Sequence, residues 1–170
     1  MIRDIIHGDI TNPQVHSGDI IIGMNNTLSE PSAIGRPFLN NVTVLKEIDL
    51  GSVLSFRFEQ GRQLHMLICH HVGVGGWAAA DKYVRYCLDY LWQQHPDRHY
   101  GIVQIGSGPV GKRDGANVPE IRTAMAASFL GVDLVILPND HEARTALGAP
   151  ALVPFRVWDM GRGEREIPMQ

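Results

Sequence analysis

The stretch Asp19-Ile20-Ile21-Ile22-Gly23-Met24-Asn25-Asn26 passes from three consecutive isoleucines into two asparagines. A short apolar run that ends in polar residues is typical of a strand covered on both faces. We predict this strand at residues 19–24, and similar runs predict strands at residues 64–69, 101–105 and 132–137. Segments with helical spacing separate several of these runs, and the alternation predicts an α/β fold with a mostly parallel sheet.

Two helices and one hairpin complete the predicted core. Apolar residues recur at helical spacing over residues 78–94 and again over residues 118–130. Asn117 and Glu120 form an N-cap pair at the start of the second helix. Residues 52–59 alternate in part and lead through a glycine turn into the strand at 64, which predicts an antiparallel hairpin and makes the sheet mixed.

The composition favours one globular domain over residues 1–170. The chain has 170 residues, 44% of them hydrophobic, and a net charge of -3. We expect a core over about residues 1–140 and a C-terminal extension over residues 141–170 that contains a further strand at 153–158. No basic run is present to bind nucleic acid, and no apolar run is long enough to span a membrane. Cys69 and Cys87 lack the spacing of a disulfide framework or zinc knuckle, which favours a cytoplasmic protein.

Polar loops follow four of the predicted strands, beginning near residues 23, 70, 106 and 138. Because ligands bind outside the carboxyl ends of strands in an open parallel sheet, we expect these loops to meet at one ligand-binding rim.

The run Gly106-Ser107-Gly108-Pro109-Val110-Gly111 is the most distinctive of these loops. Glycine allows positive φ and close approach, so the loop can turn backbone N–H groups toward a phosphate or diphosphate. The alternative is that the glycines serve only the strand-to-helix connection. The run follows the penultimate core strand and is predicted to open no helix directly, which disfavours a dinucleotide-dependent oxidoreductase.

Several motifs, taken in order, resemble the macro domain family. They are Gly8-Asp9-Ile10-Thr11, residues 19–26, residues 104–111 and residues 132–137, and together they span roughly residues 3–138. The resemblance implies a three-layer α/β/α fold that binds ADP-ribose or a close derivative. It further implies that Asp9 meets the adenine amino group, with the Ile10 N–H beside it, and that residues 106–111 cover the diphosphate and distal ribose.

The candidate ligand-binding residues all lie in loops or at strand ends. They are Asp9, Ile10, Asn25, Asn26, Ser29, Gly106, Ser107, Gly108, Pro109, Val110, Gly111 and Asn139.

The middle of the chain resembles one branch of that family. Residues 51–71 and the helix that follows are similar to the branch of terminal ADP-ribose glycohydrolase and ADP-ribose 1″-phosphate phosphatase-like proteins. However, the family's glycine-rich first loop is replaced by residues 29–36, in which only Gly35 is glycine. Pro31 stiffens this loop and Glu30 brings negative charge toward a diphosphate, which favours a reader or sequestering protein over a hydrolase.

For the hydrolase alternative, which cleaves an ADP-ribosyl bond or a terminal phosphate, the catalytic candidates are Asn26, His71 and Asp114. His70 and His71 are adjacent, and successive strand residues face opposite sides, so one of them can reach the site. A purely structural histidine is the alternative. A third possibility is a macro-like pocket that serves another nucleotide or an RNA end.

No metal site is predicted, because His65, His70 and His71 lack a ligand-like spacing. We expect no cofactor. The expected partners are ADP-ribose or ADP-ribosylated molecules, without nucleic acid or membrane, and the expected state is a monomer or weak homodimer.

Overall fold

The computed structural model describes residues 2–4, 18–32, 34–40, 42, 47–58, 61–127, 134–137, 155–159 and 163–167. Its strands are β1 Ile2–Asp4, β2 Asp19–Asn25, β3 Val53–Arg57, β4 Gln63–His70, β5 Tyr100–Val103, β6 Leu134–Leu137, β7 Phe155–Asp159 and β8 Gly163–Ile167. Its helices are α1 Arg36–Leu39, α2 Ala80–Gln94, α3 Pro109–Asp114 and α4 Val118–Ala127.

The described strands form one mixed sheet in the order β1-β6-β5-β2-β4-β3-β7-β8. Every pairing from β1 to β4 is parallel, and every pairing from β4 to β8 is antiparallel. The mixed, mostly parallel sheet and the β3–β4 hairpin confirm the sequence predictions. Because β2, β4 and β5 are parallel neighbours, their carboxyl ends meet at one edge of the sheet.

Side chains of β2 alternate between two apolar cores. Ile21 packs on one face, in the same cluster as residues of α2 and α4, while Ile20 and Ile22 pack on the other face with Phe38 of α1. Each isoleucine is almost completely buried. A strand buried on both faces needs a continuous apolar run, which explains the three isoleucines. The helices that pack on both faces of the sheet confirm the three-layer α/β/α arrangement.

The glycine-rich segment differs from its prediction. It opens a helix directly, because α3 begins at Pro109, one residue after the extended Gly108. Proline is suited to the first helical position, where its fixed φ fits and its missing N–H is not needed. Gly115, in the left-handed conformation at φ 85°, ends the helix.

The C-terminal residues add to the sheet. β7 overlaps the strand predicted at residues 153–158, and it pairs with β3 in antiparallel register. β8 then pairs with β7, and neither β8 nor β1 was predicted. The sequences of β1 and β8 are Ile-Arg-Asp and Gly-Glu-Arg-Glu-Ile, so neither has the apolar run or the alternation that predicts a strand.

A buried polar cluster lies at the amino ends of the parallel strands. Asp19 is 1% exposed and accepts two hydrogen bonds from the Arg98 guanidinium, at 2.6 and 2.5 Å. His65 Nε2 donates to the same carboxylate at 2.9 Å, and His65 Nδ1 lies 2.6 Å from the Ser55 hydroxyl. The cluster therefore joins β2, β3 and β4 to the residues that precede β5.

Candidate functional site

A cleft of about 530 Å³ opens at the carboxyl ends of β2, β4 and β5. One wall is the end of β2 with Glu30, Pro31, Ser32 and Arg36, which we call the loop wall. A second wall, which we call the glycine wall, is formed by residues 103–106 and 108–111. His70 and Trp77 complete the lining from the β4 side. Three of the four loops predicted to share one rim therefore meet, and the fourth, after β6, lies outside the described residues.

The glycines of the glycine wall have different roles. Gly106 has φ 89°, a conformation that other residues rarely adopt. A Cβ at Gly111 would lie 2.1 Å from the Gly106 carbonyl oxygen, so Gly111 lets α3 pack against the loop. A Cβ at Gly108 would meet no atom within 4 Å, although Gly108 lines the cleft. Its missing side chain therefore leaves open space in the cleft.

Five of the six residues predicted to cover a diphosphate line the cleft; the exception is Ser107. The Ser107 hydroxyl instead donates to the Gln104 carbonyl at 3.2 Å.

The β2–α1 loop is held by the side chain of Asn25. Its Oδ1 accepts from the backbone N–H groups of Thr27 and Ser29, at 3.0 and 3.2 Å, and its Nδ2 donates to the Ser29 carbonyl at 2.5 Å. Asn25 lines the cleft, but these bonds occupy much of its amide. Ser29 lies outside the lining, and its hydroxyl is 2.8 Å from that of Thr27.

Asn26 is 3% exposed and is not part of the cleft lining. Its backbone N–H donates to the His70 carbonyl at 3.1 Å, and its carbonyl accepts from Ile48 at 2.8 Å. These bonds place Asn26 behind the cleft, where it connects β2 to its neighbouring segments.

Of the adjacent histidines, the structure brings His70 into the cleft wall and leaves His71 exposed outside it. The His70 ring stacks on Trp77 with ring centroids 3.7 Å apart, and its Nδ1–H donates to the His71 carbonyl at 2.9 Å. Burial lowers the pKa of His70, which favours the neutral ring at pH 7. With Nδ1 as donor, the neutral ring has Nε2 as an acceptor. The Trp77 indole N–H is buried without a partner among the described residues.

Arg113 connects α3 to the loop wall. Its guanidinium donates to both carboxylate oxygens of Glu30, at 3.3 and 2.8 Å. Hydrogen bonds from Arg113 lower the pKa of Glu30. From the sequence, the Glu30 charge is expected to oppose a diphosphate, whereas the structure pairs that charge with Arg113.

Asp114, a catalytic candidate from the sequence, is 3% exposed and is not a lining residue. Its carboxylate accepts from Arg113 at 2.9 and 3.0 Å and from the backbone N–H of Gly73. The bonds from Arg113 hold its pKa below the ordinary value. Asp114 thus links α3 to the β4–α2 loop.

Arg36 is a lining residue that the sequence analysis did not select. It begins α1, and its side chain is exposed toward the cleft, where Nη2 lies 3.5 Å from the Pro31 carbonyl. Arg36 belongs to no sequence motif, and only the fold brings it into the same cleft as the glycine wall.

Three of the predicted ligand residues, Asp9, Ile10 and Asn139, lie outside the described part of the chain. Among the described residues, no cluster of His, Cys, Asp or Glu could hold a metal ion. In that same part of the chain, no helix combines the length and apolarity needed to cross a membrane. Cys69 and Cys87 are both buried and free, and burial raises the pKa of Cys69 to about 12.

Comparison with known proteins identifies the fold. No family model matches the sequence, and no curated protein matches it. Among solved structures, a macrodomain protein from Streptomyces coelicolor superposes with a TM-score of 0.52 at 14% identity, over 82% of this chain and 100% of that one. A protein of unknown function from Bacteroides thetaiotaomicron superposes with a TM-score of 0.54 at 14% identity, over 80% of this chain and 96% of that one. The chain therefore has a macro-domain-like fold.

Proposed function

We propose that the protein binds ADP-ribose or a close derivative in the cleft and acts as a reader or sequestering protein. The observation that carries this proposal is the cleft itself, at the carboxyl ends of β2, β4 and β5 in a macro-domain-like fold. Its volume of about 530 Å³ falls within the range of small-molecule sites.

The chemistry of the two walls supports an anionic, extended ligand. The glycine wall leaves open space at Gly108, where a diphosphate can approach the backbone closely. Arg36 supplies a cation on the loop wall. The pairing of Glu30 with Arg113 offsets the negative charge that would oppose such a ligand. Recognition of adenine by Asp9 stays a prediction from the resemblance.

We expect binding in the micromolar range, on the order of -8 kcal/mol, because the loop wall lacks a flexible glycine clamp. Loop residues Leu28 and Glu30 have positive φ, at 56° and 49°, and the Asn25 amide and Arg113 fix the loop on both sides. A loop held in this way has little freedom to close over a distal ribose.

The second candidate function is hydrolysis of an ADP-ribosyl bond or of a terminal phosphate. The observation that favours it is the position of His70 in the cleft wall, with its Nδ1–H bound to the His71 carbonyl. Burial lowers the pKa of His70, so Nε2 is suited to accept a proton from water or a ribose hydroxyl. The resemblance of residues 51–71 to the glycohydrolase and phosphatase-like branch also favours hydrolysis. His70 is the group that we would assign as general base.

Calorimetric titration with ADP-ribose, adenosine monophosphate and NAD tests the binding proposal. We expect ADP-ribose to bind most tightly. Absence of ADP-ribose binding, or equal affinity for all three compounds, would overturn the proposal.

A turnover assay separates the two candidates. The protein is incubated with proteins ADP-ribosylated on acidic or arginine side chains and with ADP-ribose 1″-phosphate, and released product is measured. A reader gives no product. Turnover that is lost in His70→Asn but kept in His71→Asn would establish the hydrolase instead, because the neighbouring histidine lies outside the cleft.

A further inference from the structure

We propose that Arg36 is a phosphate-binding side chain of the loop wall, and that Arg113 keeps it available by holding Glu30 away from it. This inference rests on the proposed function and deepens it, because it assigns a cationic subsite to the loop wall. The ligand chemistry is a phosphate or diphosphate ester.

Glu30 and Arg36 are the lining residues with full charges, and they lie six positions apart in the loop wall. They have the opposite charges of an ion pair, yet the structure does not pair them. Glu30 instead turns to Arg113, which lies 83 positions away in α3, and each Glu30 oxygen accepts one N–H from that guanidinium. The Glu30 carboxylate is therefore paired with Arg113, whereas Arg36 has no carboxylate partner among the described residues.

Arg113 is itself fixed by Asp114. Nε and Nη2 of Arg113 donate to the two Asp114 oxygens, and Asp114 is buried and also accepts the Gly73 N–H. Because Asp114 binds one edge of the planar guanidinium, the remaining N–H donors of Arg113 point in a fixed direction. Arg113 can therefore hold Glu30 at a defined position.

Arg36 retains most of its hydrogen-bonding capacity. Among the described residues its side chain makes one hydrogen bond, to the Pro31 carbonyl, and at 3.5 Å that bond is at the limit of hydrogen-bond length. No carboxylate in that part of the chain pairs with it. A guanidinium with unused parallel N–H donors matches the oxygens of a phosphate in a two-bond arrangement.

Loss of Arg113 is expected to affect both the backbone of the loop and the position of the Glu30 carboxylate. Glu30 adopts φ 49°, a region that costs free energy for a residue other than glycine. Without Arg113, the loop loses the contact across the cleft and the Glu30 carboxylate becomes free to turn toward Arg36. Loss of Arg113 should then weaken anion binding although Arg113 does not line the cleft.

The test uses Arg36→Gln, Arg113→Gln and the double variant Arg113→Gln/Glu30→Gln in the full chain. Arg85→Gln is the matched control, since Arg85 is exposed on α2, away from the cleft lining. Melting temperatures establish that each variant folds. Affinities are measured by calorimetry with three probes: ADP-ribose, inorganic pyrophosphate and adenosine.

We expect Arg36→Gln to weaken ADP-ribose binding about tenfold or more, the effect of losing a charged hydrogen-bond donor. Arg113→Gln should weaken it by a similar factor, and the double variant should recover to within about threefold of the wild type, because removing Glu30 removes the competitor. Pyrophosphate should follow the same order with lower affinity, and adenosine affinity should be equal in all variants.

The outcomes separate this inference from the proposed function. Equal ADP-ribose affinity in wild type and Arg36→Gln would overturn the subsite and leave the proposed function standing. Pyrophosphate binding that depends on Arg36, without ADP-ribose binding, would overturn the proposed function and support the subsite. If neither probe binds the wild type, both are overturned. A double variant as weak as Arg113→Gln would overturn the role assigned to Glu30.

Discussion

An arginine binds a carboxylate through two hydrogen bonds at each end of the parallel strands. At the amino ends Arg98 binds Asp19, and at the carboxyl ends Arg113 binds Glu30 and Asp114. Asp19 is buried, whereas Glu30 is about half exposed and lines the cleft. The same pairing therefore stabilises the sheet at one end and arranges charge around a cleft at the other.

The amino-end cluster contains the residue types of a catalytic triad, Ser55, His65 and Asp19, in hydrogen-bonded order. However, Asp19 also receives both Arg98 bonds, so its charge is already compensated. Serine contacts Nδ1 and aspartate contacts Nε2, the reverse of the serine-protease arrangement. None of the three residues lines the cleft. We interpret the cluster as structural, and the comparison shows that residue types alone do not define a site.

Asp19→Ala should have the largest effect on stability. It removes the carboxylate that buried His65 and the partly buried Arg98 share, and breaking a buried pair in this way costs about 3 kcal/mol or more. Chemical denaturation measures the loss, with Asp89→Ala, exposed on α2, as the control. If both variants lose equally little, the amino-end cluster does not stabilise the sheet.

Gly111→Ala should have the second-largest effect on stability, because the new Cβ would lie 2.1 Å from the Gly106 carbonyl oxygen. Overpacking against backbone costs up to about 3 kcal/mol. Gly108→Ala is the matched control, since its Cβ meets no atom within 4 Å and should leave the melting temperature unchanged. Equal melting temperatures in the two variants would contradict the packing of α3 described above.

The amino-end cluster should also make stability depend on pH. Burial opposes the ionisation of Asp19, but hydrogen bonds from His65 and Arg98 outweigh it and lower the pKa from 3.8 to about 2. A group with a lowered folded pKa contributes stability above its unfolded pKa and loses it as pH falls through the folded value. We expect a loss of roughly 2 kcal/mol between about pH 5 and pH 2.

Denaturation of the wild type and Asp19→Asn across that pH range measures the effect. The difference in unfolding free energy between the two proteins should shrink as pH falls. A difference that is independent of pH would contradict the assigned pairing.

Ser55→Ala should have the smallest effect, about 1 kcal/mol, the usual contribution of one hydrogen bond. Because we interpret the cluster as structural, the wild type should hydrolyse an activated ester such as p-nitrophenyl acetate no faster than the variant. Wild-type hydrolysis that is lost in Ser55→Ala would make this end of the sheet a second active site.

Much of the fold was predictable from the sequence. Continuous apolar runs marked β2, β4, β5 and β6, because a strand covered on both faces has no polar side to interrupt it. Asn117 and Glu120 also predicted the start of α4. In the structure the Glu120 N–H donates to the side-chain oxygen of Asn117 at 3.1 Å.

The candidate site was less predictable, because its residues meet through contacts distant in sequence. Arg113 and Glu30 are 83 positions apart, and Arg36 belongs to no motif. Strand alternation indicated that one histidine of the pair could face the cleft. Choosing His70 required knowing that β4 ends there and that Trp77 stacks on its ring.

Calorimetric titration of ADP-ribose into the wild type, Gly108→Val and Ser55→Ala tests whether the glycine wall binds the ligand. Valine at Gly108 places a branched side chain in the open space of the glycine wall, whereas Ser55 lies in the amino-end cluster. We expect micromolar binding by the wild type and Ser55→Ala, and loss of binding by Gly108→Val at a nearly unchanged melting temperature. No binding by the wild type, or equal binding by Gly108→Val, would contradict this expectation.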